Sequence, residues 1–160
     1  MDTDPLPQTD LDQVLAELRR DIGTATPWRS FRVTEADVAR FSAAVDPGAR
    51  LPFPPPVAQE PPPTFFCPDP IILSQRLGLE RRRPFPNTLD GGSRWEWLAP
   101  LPVGATARLR AEVVDVERKA GSPATGVMFL TTILVTCAAT TGETIARCWG
   151  TSISYEGSGS

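Results

Sequence analysis

The sequence predicts an α+β domain built on one antiparallel sheet, on three observations. Apolar residues at helical spacing are confined to the first half of the chain. After Asn87 the pattern turns to long alternating runs, and helices followed by consecutive strands give an antiparallel rather than a parallel sheet. One short apolar stretch, Ile71 to Leu77, stands between the two regions with its own start and stop signals. A chain of 160 residues is long enough for one core of this kind.

The elements follow in order. Asp10 is placed to cap a helix whose apolar positions are Leu11, Val14, Leu15, Leu18 and Ile22, with Gly23 and Pro27 ending it. Residues 1–27 are therefore expected as a helical extension ahead of a single domain spanning 28–155. Trp28 to Val33 alternates briefly, enough for a short strand. Thr34-Glu-Ala-Asp37 resembles a capping box and leads into Val38, Phe41, Ala44 and Val45 on one helical face. Nine of the eighteen prolines fall in 52–70, which rules out regular helix or central strand and predicts an extended arm, with Phe53, Phe65 and Phe66 available to pack it. Asp69-Pro70 then reads as N-cap and first-turn proline of a helix closing at Gly78.

Beyond Asn87, Ser93 to Trp97 alternates and Pro100 to Gly104 is a turn. Ala107, Leu109, Ala111 and Val113 oppose Arg108, Arg110 and Glu112 across the next strand. Lys119 to Gly126 is a turn before a strand with Val127, Phe129, Ile133, Val135 and Cys137 on one face and Met128, Leu130 and Leu134 on the other. Apolarity on both faces predicts that the sheet's outer surface is covered. A hairpin at Thr140 to Glu143 precedes a last strand marked by Ile145, Trp149, Ile153 and Tyr155, and 156–160 is expected as a flexible tail.

Composition excludes several classes. There is no apolar run of the roughly 18 residues that a bilayer span needs. The acidic N-terminus is unlike a signal peptide, so the cytosol is the expected compartment. A net charge of −3 argues against a general nucleic-acid binder. Cys67, Cys137 and Cys148 are unpaired in spacing and read as small hydrophobes, not as a disulfide framework or metal site. The chain has no histidine, so acid–base chemistry near neutrality needs a shifted carboxylate, Cys or Lys, or a group from a partner.

Long antiparallel strands wrapped round one short apolar helix describe a hot-dog fold of about five strands, with the helix supplied by residues 63–79. A second hot-dog domain set edge to edge would continue the sheet and protect its edge, so an oligomer is expected, either with a different chain or as a homodimer.

The segments VTEADVARFSAAVDP, PPTFF, LDGGSRWEWLAPLPVGATARLRAEVVDVERKAG and VMFLTTILVTCAATTGETIARCWGTSISY together resemble the N-terminal, non-catalytic half of MaoC-like hot-dog dehydratases, over about residues 28–155. The resemblance implies a subunit of an R-specific enoyl-CoA hydratase or (3R)-hydroxyacyl dehydratase. Its substrate would be an acyl thioester of coenzyme A or of an acyl-carrier phosphopantetheine, and it would use no separate cofactor. Catalytic halves of that family carry D-x-N-P-x-H, whose Asp and His hold and polarise the added water. Here Asp46-Pro47-Gly48-Ala49-Arg50-Leu51 keeps the acid but has Leu51 in the histidine position. Leu89-Asp90-Gly91-Gly92 likewise stands where relatives commonly read L-H-G-G. The resemblance therefore implies a partner, a His-bearing MaoC-like hot-dog subunit.

The candidate site residues each have two roles open. Asp90 is either a general base, with Gly91 and Gly92 admitting a thioester to backbone N–H donors, or a turn residue before a strand. Asp46 is either a catalytic acid or the helix-ending half of an Asp-Pro turn. Cys67 lacks the imidazole that usually activates a thiol. Arg81, Arg82 and Arg83 match the oxygens of a phosphate-bearing ligand, or are simply solvated. Phe65, Phe66, Trp95 and Trp97 line an acyl tunnel or fill the core. Two other functions share these residues: a stand-alone thioesterase using Asp46 or Asp90, and an inert binding module docked through its proline arm.

Overall fold

The computed structural model describes residues 8–45, 61, 64–66 and 69–157. In chain order the elements are α1 (Gln8–Arg19), β1 (Arg29–Arg32), α2 (Glu35–Val45), α3 (Pro70–Arg76), β2 (Asn87–Trp97), β3 (Thr106–Ala120), β4 (Val127–Ala139) and β5 (Thr144–Tyr155). The strands form one antiparallel sheet in the order β1-β3-β4-β5-β2. Helix α3 packs on β3, β4 and β5 together, so the sheet curls round it in the predicted hot-dog arrangement.

The local signals read from sequence are used as expected. The Asp69 carboxylate accepts the N–H groups of Ile71 and Ile72 at 2.7 and 3.1 Å, satisfying two otherwise orphaned donors at the start of α3. Thr34 Oγ1 accepts the Asp37 N–H at 3.1 Å and starts α2 in the same way. Helix α1 begins two residues before the cap proposed at Asp10 and buries Leu11 and Leu18 in the same core as the sheet. Beyond it the chain runs along β3, with the N–H groups of Gly23 and Thr26 donating to the carbonyls of Val113 and Ala111.

Two bulges set which side chains face the helix. Between Val113 and Asp115 the β3–β4 register shifts, which returns Val116 to the inner row after Ala107, Leu109, Ala111 and Val113. Between Asp90 and Ser93 the β2–β5 register shifts in the same way.

The inner row of β5 is small: Ala146, Cys148, Gly150, Ser152 and Ser154 are all buried. Of the bulky residues that mark this strand in sequence, Ile145 is buried, whereas Trp149, Ile153 and Tyr155 lie on the outer face opposite Leu134, Leu130 and Met128 of β4. These cross-strand pairs half-bury one another, and the Arg94 guanidinium stacks 4.2 Å over the Trp149 ring. The apolar outer face is thus partly screened by its own pairs. The buried Ser154 hydroxyl on the inner face is satisfied, since its Oγ accepts from the Phe85 N–H at 3.0 Å and donates to the Phe85 carbonyl at 3.2 Å.

Phe66 joins the two edges of the curled sheet. It stacks on Phe31 of β1 at 4.9 Å and meets Trp95 and Trp97 of β2 edge-on at 5.9 and 6.3 Å. Phe65 ties in α2 through an edge contact with Phe41. One sheet edge, β1, has four residues; the other, β2, has eleven, is largely exposed, and pairs only with β5 among the described residues.

Candidate functional site

A cleft of about 280 Å³ opens between α3 and the first half of β2. Its polar lining comes from Asp69, Gln75, Arg81, Arg83, Thr88, Asp90 and Ser152. Asp90 and Ser152 are register partners on the inner face of β2 and β5, which is why residues so far apart in sequence share one wall. The segment from α3 to β2 supplies the arginines. A wider depression of about 520 Å³ beside the start of α2 holds none of the predicted site residues.

Asp90 is not the turn residue before a strand that the sequence suggests. It lies inside β2, at the bulge, and its carboxylate accepts the Gly92 N–H at 2.8 Å. Gly92 has φ +95°, a conformation that costs glycine little and other residues more. A Cβ on Gly91 would come within 3.0 Å of Thr151. Asp90, Gly91 and Gly92 are therefore explained together as a bulge that re-aims the strand.

The three arginines separate. Arg82 turns to α1, with its Nε 3.6 Å from the Asp21 carboxylate and one Nη donating to the Glu17 carbonyl at 3.4 Å. Arg81 and Arg83 face the cleft. Burial, and secondarily the charge of Arg83, lowers the pKa of the Arg81 guanidinium. Its Nε is buried without a hydrogen-bond partner among the described residues.

The remaining candidates lie elsewhere. Phe66 sits with Trp95 and Trp97 toward the far end of β2, about 17–23 Å along the strand from Asp90 at roughly 3.3 Å per residue, and Phe65 lies against Phe41. Asp46 and Cys67 lie outside the described residues, as does the proline arm apart from residues 61, 64–66, 69 and 70. Sequence reasoning missed Ser152 and Gln75. The available signal was the small polar alternation of Ser152 and Ser154 in β5, which marks a strand face pressed against a helix.

Cys137 and Cys148 are both buried. Burial pushes the Cys137 thiol up from 9.0 to about 12, so it is no nucleophile at neutral pH. It also has a thermodynamic consequence. The unfolded thiol ionises near pH 9 while the folded one keeps its proton, so the folded state binds more protons in that window. Stability is expected to be little affected below pH 9 and to fall from pH 9 towards 12, by on the order of 1 kcal/mol at pH 10. Denaturant titrations at pH 8 and 10 check this, with Cys137→Ala removing that share of the loss.

Among the described residues, no three Cys, Asp or Glu side chains are grouped to hold a metal ion, and no helix is long and apolar enough to cross a membrane. No protein-family model and no curated sequence matches the chain. Solved structures match in fold. A chain of the ChsH1-ChsH2 complex from Mycobacterium tuberculosis aligns at 16% identity and TM-score 0.63, covering 96% of each chain. A chain of the HadBC (3R-hydroxyacyl-ACP dehydratase) complex from the same organism aligns at 16% and 0.55, over 83% of this chain and 96% of that one. The MaoC-like dehydratase from Rhodospirillum rubrum aligns at 14% and 0.55, over 84% and 92%. The hot-dog fold expected from the sequence is the fold these neighbours share with this chain.

Proposed function

We propose, from the premise that this is a hot-dog chain shaped like the MaoC-like dehydratases, that it is the non-catalytic, substrate-accommodating half of a cytosolic heteromeric hydro-lyase. The complex would add water to an enoyl thioester or remove it from a 3-hydroxyacyl thioester. The observation carrying this reading is chemical: these 160 residues contain no histidine. Adding water across a conjugated double bond requires a group that takes and returns a proton near neutral pH. The one predicted acid within the described residues, Asp90, instead accepts a backbone N–H in its own bulge.

The missing imidazole would come from a second hot-dog subunit. The long β2 edge, which pairs only with β5 among the described residues, suits such a partner, because it offers eleven residues of backbone for pairing, against four at β1. Two of the structural neighbours are themselves components of two-protein complexes by name, which supports a heteromeric reading over a homodimer.

The test is reconstitution. This chain is to be purified alone and with a hot-dog protein carrying D-x-N-P-x-H, and each sample assayed for hydration of a crotonyl-type thioester. Turnover is expected from the pair and not from this chain. An ordinary enzymatic rate from the isolated chain overturns the proposal, and release of free thiol by it points to a thioesterase instead.

A further inference from the structure

We infer that the cleft between α3 and β2 is an anion site, in which Arg81 and Arg83 grip a phosphate group of the substrate's thioester carrier. This deepens the reading above by assigning one end of the ligand, and rests on it for the ligand's identity.

Geometry supplies the argument. Three consecutive arginines are sorted so that the middle one is taken by Asp21 and the Glu17 carbonyl, leaving the outer two beside one another in the same cleft. No ion pair within 4.0 Å joins either of them to a described carboxylate. The two acids that share the cleft already have partners: Asp69 caps α3 and Asp90 closes the β2 bulge. Arg81 is half-buried and its Nε has no hydrogen-bond partner among the described residues, so it bears a desolvation cost with nothing opposite. Two like charges held together at such a cost are relieved by an anion that accepts from both. A tetrahedral phosphate accepts two guanidinium forks in that way. Ser152 and Gln75 add neutral polar groups to the wall. The aromatic cluster lies well down β2, so the cleft takes the polar end of a ligand and not its acyl chain.

The phosphate has three sources within one substrate class: the diphosphate of coenzyme A, its 3′-phosphate, or the single phosphate of a phosphopantetheine arm. Calorimetric titration of the full chain with coenzyme A, dephospho-coenzyme A and 4′-phosphopantetheine separates them. Coenzyme A is expected to bind. Loss of affinity in both dephospho-coenzyme A and phosphopantetheine identifies the 3′-phosphate, loss in phosphopantetheine alone the diphosphate, and equal binding of all three the phosphate next to the pantetheine.

Arg81→Gln with Arg83→Gln is expected to weaken coenzyme A by about tenfold or more. Arg82→Gln leaves it unchanged, and Arg81→Lys with Arg83→Lys, which keeps the charge but not the fork, falls between. If the double glutamine variant fails to fold, the lysine pair carries the comparison. Unweakened binding in the glutamine pair or, where that pair does not fold, in the lysine pair overturns the inference, as does absence of coenzyme A binding at millimolar concentration. Because no turnover is measured, this outcome is independent of whether the chain is catalytic.

Discussion

In a reconstituted complex, replacing the partner's catalytic histidine is expected to lower hydration by roughly 10²–10⁴-fold, while Asp90→Asn in this chain leaves kcat within about twofold. The asymmetry follows from what each group does. General acid–base catalysis is lost when its proton carrier is removed. An asparagine at position 90 retains an oxygen able to accept the Gly92 N–H, so the bulge keeps its geometry. Asp90→Leu separates shape from chemistry. It removes the acceptor and is expected to lower stability by up to about 1 kcal/mol, read as a shift in denaturant midpoint. If Asp90→Asn abolishes turnover while the midpoint is unmoved, Asp90 is a catalytic residue and the assignment of chemistry to the partner fails.

Gly150→Val is expected to be the most damaging single change within the fold. A Cβ at this position on β5 would lie 2.3 Å from Pro70 Cγ, 3.0 Å from Pro70 Cβ and 3.3 Å from Ile71 Cδ1. Helix α3 therefore rests almost on the backbone of the sheet here, opposite the fully buried Ile133 of β4. A branched side chain forces α3 off the sheet and opens the inner face. Overpacking of this kind costs about 1–3 kcal/mol or somewhat more, and at about 3 kcal/mol the midpoint of thermal unfolding falls by roughly 6–12 °C. Gly150→Ala should shift it in the same direction by less. A valine variant melting with the wild type would mean that α3 does not seat at this strand. The same displacement would distort the cleft, since Ile71 and Gln75 of α3 form one wall, so coenzyme A affinity should fall with stability in this variant.

What could be read from the chain without its structure was whatever neighbouring residues decide among themselves. The Asp69 cap, the Thr34 capping interaction and the alternation of β3 and β4 each depend on a few adjacent positions, and each appears as expected. The hot-dog arrangement followed because long antiparallel strands and one short apolar helix have few ways to bury their faces. The lack of an imidazole needed no structure at all.

Only the tertiary structure decided which face of each strand is inside and which residues meet. A bulge resets the parity of a strand, and nothing in the alternation announces whether Asp90 precedes the strand or bends it from within. In β5 Trp149, Ile153 and Tyr155 point outward while Ile145 is buried at the start of the strand, and at Gly150 α3 approaches too closely to leave room even for a Cβ. The sorting of Arg81 and Arg83 from Arg82 depends on α1, more than sixty residues away, and the bridge through Phe66 exists only once curling has brought two sheet edges together. Local pattern determines the elements, because backbone geometry repeats within a few residues; the site belongs to contacts between distant segments, which no local period encodes.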